Sequence, residues 1–256
     1  MTNPPARAKL LTFAPMVDSE TTRLACRYYR IDFEERDHLF GWVSLLSKLH
    51  GGTVFIPLLY SNDFALNGPQ PVAERFDAAL PPERRLFPPE QPLADQVAAD
   101  WKTYNGGMGA DVAVFSYFHL LPERTLMERI FAAPVPPVEA ALVPLVYGLL
   151  RSLFSKLLKL SPERAAEAAD KMRATFDETD RRIADGRRYL CGDRLTAGDI
   201  ALCAASAPLL FPRGYGALMP APEEFPPVMR AFADELRARP TSAFVQRLYD
   251  SGFTGD

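Results

Sequence analysis

Few residues in this chain have the type and spacing to do chemistry. Its three cysteines, Cys26, Cys191 and Cys203, are odd in number and form no C-x-x-C pair, so neither a disulfide framework nor a zinc site is suggested. His38, His50 and His119 lie far apart and show no metal-ligand spacing, so no metal is expected. Polar groups gather instead at two helix starts. Asp18 or Ser19 can cap a helix running to Tyr29, and Glu20 adds negative charge to its first turn. Thr196 and Asp199 stand in the S/T-x-x-D arrangement of a capping box just before an apolar run. There the threonine hydroxyl accepts from the Asp199 amide while the carboxylate reaches back to the Thr196 amide. Stranding such buried donors would cost about 1–3 kcal/mol each.

These groups must be positioned by the surrounding elements. The first ninety residues alternate strand and helix patterns: a short apolar strand at 9–13, the helix after Ser19, and an alternating strand at 31–36. A helix follows at 38–49, closed by Gly51 and Gly52. Strands at 53–60 and 64–66 flank the turn residues Ser61, Asn62 and Asp63, and a third helix covers 71–80. The order β-α-β-α-β-β-α builds a small sheet with helices on both faces. Pro57 interrupts a strand-like run; a cis Ile56–Pro57 bond opening the strand, or a trans proline on an edge strand, would each accommodate it. Residues 82–92 are proline-rich and read as a linker. Beyond them the pattern is helical: 93–121 with a bend at Gly106 and Gly107, then 123–133, 138–160, 161–185, 196–210, 226–239 and 243–249.

With 256 residues, 48% of them hydrophobic, and a net charge of −3, the chain suits a small domain joined to a larger helical one. No basic excess exists to neutralise phosphates, so nucleic acid is not an expected partner. The N-terminal stretch has no apolar run ending in a cleavage site, and a reduced, cytoplasmic setting is expected. Residues 138–160 are apolar for most of their length, but Arg151, Ser155 and Lys159 recur every fourth residue. That stripe predicts a core helix showing a narrow polar face to water rather than a membrane span; a surface-bound membrane helix is the alternative.

Residues 189–200, YLCGDRLTAGDI, followed by ALCAASAPLL, resemble the segment that opens the core helix of the glutathione S-transferase superfamily. Ile56–Pro57 stands where that family places a cis-proline, residues 72–77 resemble its I-a-e-Y-L-d pattern, and Arg239–Pro240 resembles its closing R-P. The resemblance implies an α/β plus all-α fold: a thioredoxin-like β-α-β-α-β-β-α domain over 1–81, the linker at 82–92, and a helical-bundle glutathione S-transferase C-terminal domain over 93–256.

It further implies glutathione as co-substrate, a small apolar electrophile as partner, and a homodimer. Ser19, four residues before Arg23, resembles the family's serine entry to the first helix and would orient the thiolate, with capping alone as the other reading of that serine. Ile56 and Pro57 would line glutathione, and the absence of cysteine at this helix start disfavours thiol-transfer chemistry. Where the family carries an acidic-Ser pair for the γ-glutamyl end, this chain has Gly68–Pro69, and Asn67 and Gln70 are the nearby candidates to substitute. Asp18 is a second departure, because a carboxylate beside a thiolate opposes its formation. For the co-substrate pocket, Tyr104, Asn105 and Met108 are the candidates. Trp101, Tyr104, Met108 and Phe115 fall at helical intervals with Asn105 and His119 beside them, and Tyr104 and Asn105 carry polar groups next to the glycine bend. Packing against neighbouring helices is the other reading of the stripe. A non-catalytic binding protein on the same fold is the alternative to a transferase.

Overall fold

A computed structural model describes residues 7–253; residues 1–6, which open the stretch read above for a leader, lie outside it. The sheet-bearing part runs β1 (Ala8–Thr12), α1 (Val17–Tyr28), β2 (Phe33–Asp37), α2 (Trp42–Leu49), β3 (Leu58–Tyr60), β4 (Ala65–Asn67) and α3 (Pro69–Asp77). This is the order expected from the alternation of patterns. The four strands are arranged β2-β1-β3-β4, with β1 parallel to β2 and antiparallel to β3, and β3 antiparallel to β4. Side chains alternate between the two faces. Leu10 and Leu59 point with Cys26 and Val72 into a small core under α1 and α3, whereas Leu11 and Leu58 join the main core.

Several boundaries move inward. The strand expected at 53–60 shrinks to three residues that follow Pro57, with no ladder ahead of it, and the Ile56–Pro57 bond is cis. Helix α2 starts only at Trp42, after a turn through Gly41 at φ +88°. A second cis bond, Gln91–Pro92, lies in the linker.

The rest is helical: α4 (Leu93–Trp101), a π-helical stretch Lys102–Met108, α5 (Gly109–Leu120), α6 (Arg124–Ala132), α7 (Pro137–Leu157), α8 (Pro162–Ile183), α9 (Ala197–Leu210), α10 (Pro227–Arg237) and α11 (Pro240–Asp250). The bend expected at Gly106–Gly107 is that π-helical stretch, so α4 and α5 form one continuous rod. Ser161 caps α8 by accepting from the Arg164 amide, with Pro162 at the first helical position. Helix α9 is the axis of the assembly. All fourteen of its residues are buried, and α1, α4, α5, α10 and α11 pack around it.

The capping box at the start of α9 is present. The Asp199 carboxylate accepts from the amides of Thr196 (2.9 Å) and Leu190 (2.7 Å) and from the Thr196 hydroxyl (2.9 Å). Burial nevertheless lifts its pKa to about 6, against the pull of those hydrogen bonds. Close packing is needed here too, since a Cβ on Gly198 would stand 2.7 Å from Cβ of Asp100. Asp100 is itself held by the Arg182 guanidinium, with Nη2 to Oδ2 at 2.8 Å.

Helix α7 departs from the sequence reading. Only Val143, Tyr147, Leu150 and Phe154 turn inward, and most of its remaining leucines face outward beside the polar residues. The apolar positions outnumber what one neighbouring surface can cover, so the helix exposes far more than a narrow polar face.

Candidate functional site

The start of α1 faces the helical part across a cavity of about 390 Å³. Helix α1 begins at Val17 with Met16 as its cap, two residues before Asp18 and three before Ser19, and Met16 supplies no side-chain hydrogen bond. This shift decides which residues face the cavity. Met16, Val17 and Asp18 line it, whereas Ser19, one residue further round the helix, is wholly buried. The Ser19 hydroxyl donates to the Phe13 carbonyl at 3.1 Å. It is neither the helix cap nor one of the residues lining this cavity.

Across the cavity stands Asn105. Its amide donates to Asp18 Oδ1 at 3.3 Å, and its oxygen accepts from the Thr21 hydroxyl at 3.1 Å, joining α1 to the π-helical stretch. Burial pushes the Asp18 carboxyl above its ordinary pKa, and the Asn105 hydrogen bond only partly offsets this. Gly109 lets the two helices come this close; a Cβ there would lie 3.3 Å from Val17 Cγ1.

Of the three pocket residues expected on this rod, Asn105 lines the cavity and the other two do not. Tyr104 is buried with its hydroxyl 3.1 Å from Thr179 Oγ1 on α8, and Met108 is buried in the core. A π turn holds more residues than an α turn and rotates every later face, so an α-helical count from Tyr104 to Met108 points the wrong way. The polar groups that face the cavity from α5 are Ser116 and Tyr117, which sequence reasoning missed; their offset from the stripe through Trp101, Tyr104, Met108 and Phe115 was the available signal. Both hydroxyls are buried without a protein partner among the described residues, and burial pushes the Tyr117 phenol up. The remaining wall is apolar: Val112 and Ile130, with Met127, Met219 and Met229 supplying adaptable side chains. Tyr117 stacks on Phe154 of α7 at 4.7 Å, and Phe154 also stacks on Phe13.

The other predicted residues lie on the sheet. The Ile56–Pro57 bond is cis, and neither the N–H nor the C=O of Ile56 has a protein hydrogen-bond partner among the described residues. Asn67 is already committed. Its oxygen accepts from the Thr53 amide at 2.8 Å, and its amide donates to Ser47 Oγ at 3.0 Å and to the Phe55 carbonyl. Asn67 therefore fastens the loop before Pro57 and is not free for a ligand. Gln70 is exposed in the first turn of α3, bonded to Glu74 at 2.9 Å. Gly68 takes φ +83°, a conformation suited to glycine, and Pro69 begins the helix without an amide proton.

Behind the site a buried charge network ties α1 to β2 and to the C-terminal helices. The Arg23 guanidinium binds Glu35 (Nη2 to Oε1, 2.6 Å) and Glu20 (Nη1 to Oε2, 2.9 Å), and Glu20 also accepts from the Tyr249 hydroxyl at 2.9 Å. Among the described residues no cluster of three or more His, Cys, Asp or Glu could hold a metal ion.

The comparisons agree with this architecture. A family model described as the glutathione S-transferase C-terminal domain matches residues 162–239. No curated protein matches the sequence. Among solved structures, a glutathione S-transferase from Sinorhizobium meliloti is 17% identical with a TM-score of 0.53, covering 94% of this chain and 92% of its own. One from Ceriporiopsis subvermispora, in complex with glutathione, is 12% identical with a TM-score of 0.57, covering 96% and 97%. A glutathione transferase family member from Pseudomonas fluorescens with two glutathione molecules bound is 12% identical with a TM-score of 0.54, covering 96% and 94%. Residues 162–239 thus match the glutathione S-transferase C-terminal domain, and the chain as a whole has the fold of these glutathione S-transferase structures.

Proposed function

We propose that the protein is a glutathione-transferase-like protein that binds glutathione beside Ile56–Pro57 and holds a small apolar electrophile in the cavity between α1 and α5. The observation that carries this reading is the cavity itself: it is apolar, and it opens at the N-terminus of α1. The amides of Val17 and Asp18 head that helix and cannot form intrahelical bonds, so the positive end of the helix dipole faces a thiolate placed there. With Ser19 turned inward, these backbone groups are the ones that stabilise the thiolate. The unpaired backbone of Ile56 would pair with the peptide as an added strand does. Val112, Ile130 and the methionines exclude water from the electrophile, and the hydroxyls of Ser116 and Tyr117 are free to donate to acceptors on it. Attack by the thiolate forms the carbon–sulfur bond as the leaving group departs with its electron pair.

Titrating the protein with reduced glutathione by calorimetry, up to roughly 10 mM because a useful site need only reach about 1 mM affinity, tests this reading. Saturable binding supports it, and absence of heat overturns it. A homodimer is proposed with it, checked by light scattering.

A second reading, a non-catalytic binding protein, is favoured by specific features: Gly68–Pro69 lacks the donors for a γ-glutamyl carboxylate, Asn67 is committed to its own loop, and Asp18 opposes a thiolate. An apolar fluorescent probe that binds, displaced by Tyr117→Trp, in a protein that ignores glutathione would establish this second reading.

A further inference from the structure

Helix α7 carries an apolar ridge with no partner. Val138, Leu142, Leu145, Leu149, Leu153 and Leu157 succeed one another at intervals of four, three, four, four and four residues, which places them along one face. Leu145 is 80% exposed, Val138 77% and Leu149 71%. The opposite face, through Val143, Tyr147, Leu150 and Phe154, is buried in the protein, so the helix is fixed with its ridge outward. By length and composition α7 could cross a membrane, but that buried face anchors it along the protein surface. Exposed ridges of this extent mark a contact surface.

Its charges identify the contact. Arg151, Lys156 and Lys159 are exposed and form no ion pair among the described residues. The one carboxylate on α7, Glu139, is turned inward: Oε1 lies 2.6 Å from His38 Nδ1, and Oε2 accepts from the Leu39 amide at 2.8 Å. The exposed leucine ridge therefore carries Lys156 within it, with Lys159 just past its C-terminal end and Arg151 on the flank, and α7 itself turns no carboxylate outward, on a chain whose net charge is −3. A second copy packed ridge to ridge would bring these cations no carboxylate from its own α7. An anionic bilayer surface satisfies both halves of the pattern: the leucines enter the acyl boundary while the long basic side chains reach the headgroups.

We infer that α7 lies in the plane of an anionic membrane surface, ridge inward, and holds the protein there peripherally. The inference does not depend on glutathione binding.

Vesicle co-sedimentation of the full chain tests it, using phosphatidylcholine alone and phosphatidylcholine with about a third phosphatidylserine. The expected result is pelleting with the anionic vesicles, weakened by salt, and little with the neutral ones. Lys156→Glu with Lys159→Glu should reduce partitioning by roughly fivefold or more per charge. Leu145→Glu with Leu149→Glu should reduce it by roughly tenfold or more, while the thermal melt stays unchanged because both positions are exposed. Failure of the wild-type chain to pellet overturns the inference, as does pelleting that survives the double leucine variant. Light scattering that finds a dimer dissociated by Leu145→Glu with Leu149→Glu, without vesicle binding, also overturns it and assigns the ridge to a second copy.

Discussion

Helices α7 and α9 are both strongly apolar, yet the fold treats them in opposite ways. Helix α9 is built of Ala, Gly, Ser and Cys with a few larger side chains, and neighbours close over every face of it. Helix α7 is rich in leucine and buries one face only. The difference is one of girth as well as hydrophobicity. Small side chains let surrounding helices approach from all directions, as Gly198 does for Asp100, whereas a leucine ridge holds neighbours off and leaves an apolar face that needs an outside partner. The capping box adds a further distinction. Helix α9 starts deep inside the protein and satisfies its amides with Asp199, while α7 starts at Pro137, where a missing amide costs nothing.

This contrast can be broken or sharpened by substitution. The largest effect is expected from Asp199→Ala, which strands the amides of Leu190 and Thr196 and should cost about 3–5 kcal/mol in denaturant melts. A loss below about 1 kcal/mol would mean the helix start is not as closed as described. Next comes Ala204→Leu on α9, which overfills a fully buried position and should cost about 1–3 kcal/mol, whereas Leu145→Ala on α7 should change stability by less than about 0.5 kcal/mol. Equal costs at the two positions would erase the comparison.

A smaller effect is expected on the sheet side. Burial, reinforced by Glu35 and opposed by the Thr12 hydrogen bond, lifts Asp37 from its ordinary 3.8 to about 6. A carboxyl whose pKa is higher folded than unfolded stabilises the fold in its neutral form. That contribution is complete below pH 3.8 and is lost as pH rises through 6. Asp37→Asn should therefore match the wild type in acid and exceed it by about 1 kcal/mol at neutral pH, read from melts across that range. Smallest is Ser19→Ala, which removes one buried hydrogen bond to Phe13, about 1 kcal/mol, and should leave the pH profile of the proposed glutathione-dependent activity unmoved. Asp18→Asn should instead shift that profile to lower pH, because it removes a negative charge from the thiolate's neighbourhood.

Much of the fold was legible because its signals are local. The alternation at 31–36, the turn residues Ser61 to Asp63 and the Thr196–Asp199 box each act through neighbours in sequence, and each led to the right element. The candidate site was less legible. Asn105 lines the cavity, whereas Tyr104, chosen for its hydroxyl beside the glycine bend, and Met108, on the helical stripe, turn into the core across the π-helical stretch. Ser19 was read as the group at the helix entry, yet a start at Val17 places Met16, Val17 and Asp18 at the cavity. Asn67 looked available by type, and only its contacts with Thr53, Ser47 and Phe55 reveal that it is committed.

By itself, the sequence determined the order of elements, the cap that opens α9 and the glycine and proline at positions 68 and 69, because propensity, capping and backbone restriction depend on residues close in the chain. The tertiary structure alone decided which face of α7 meets solvent, which hydroxyls line the cavity and which side of α1 the cavity touches. Those outcomes depend on the phase of one helix against another, and a shift of a single residue rotates a helical side chain by about 100°.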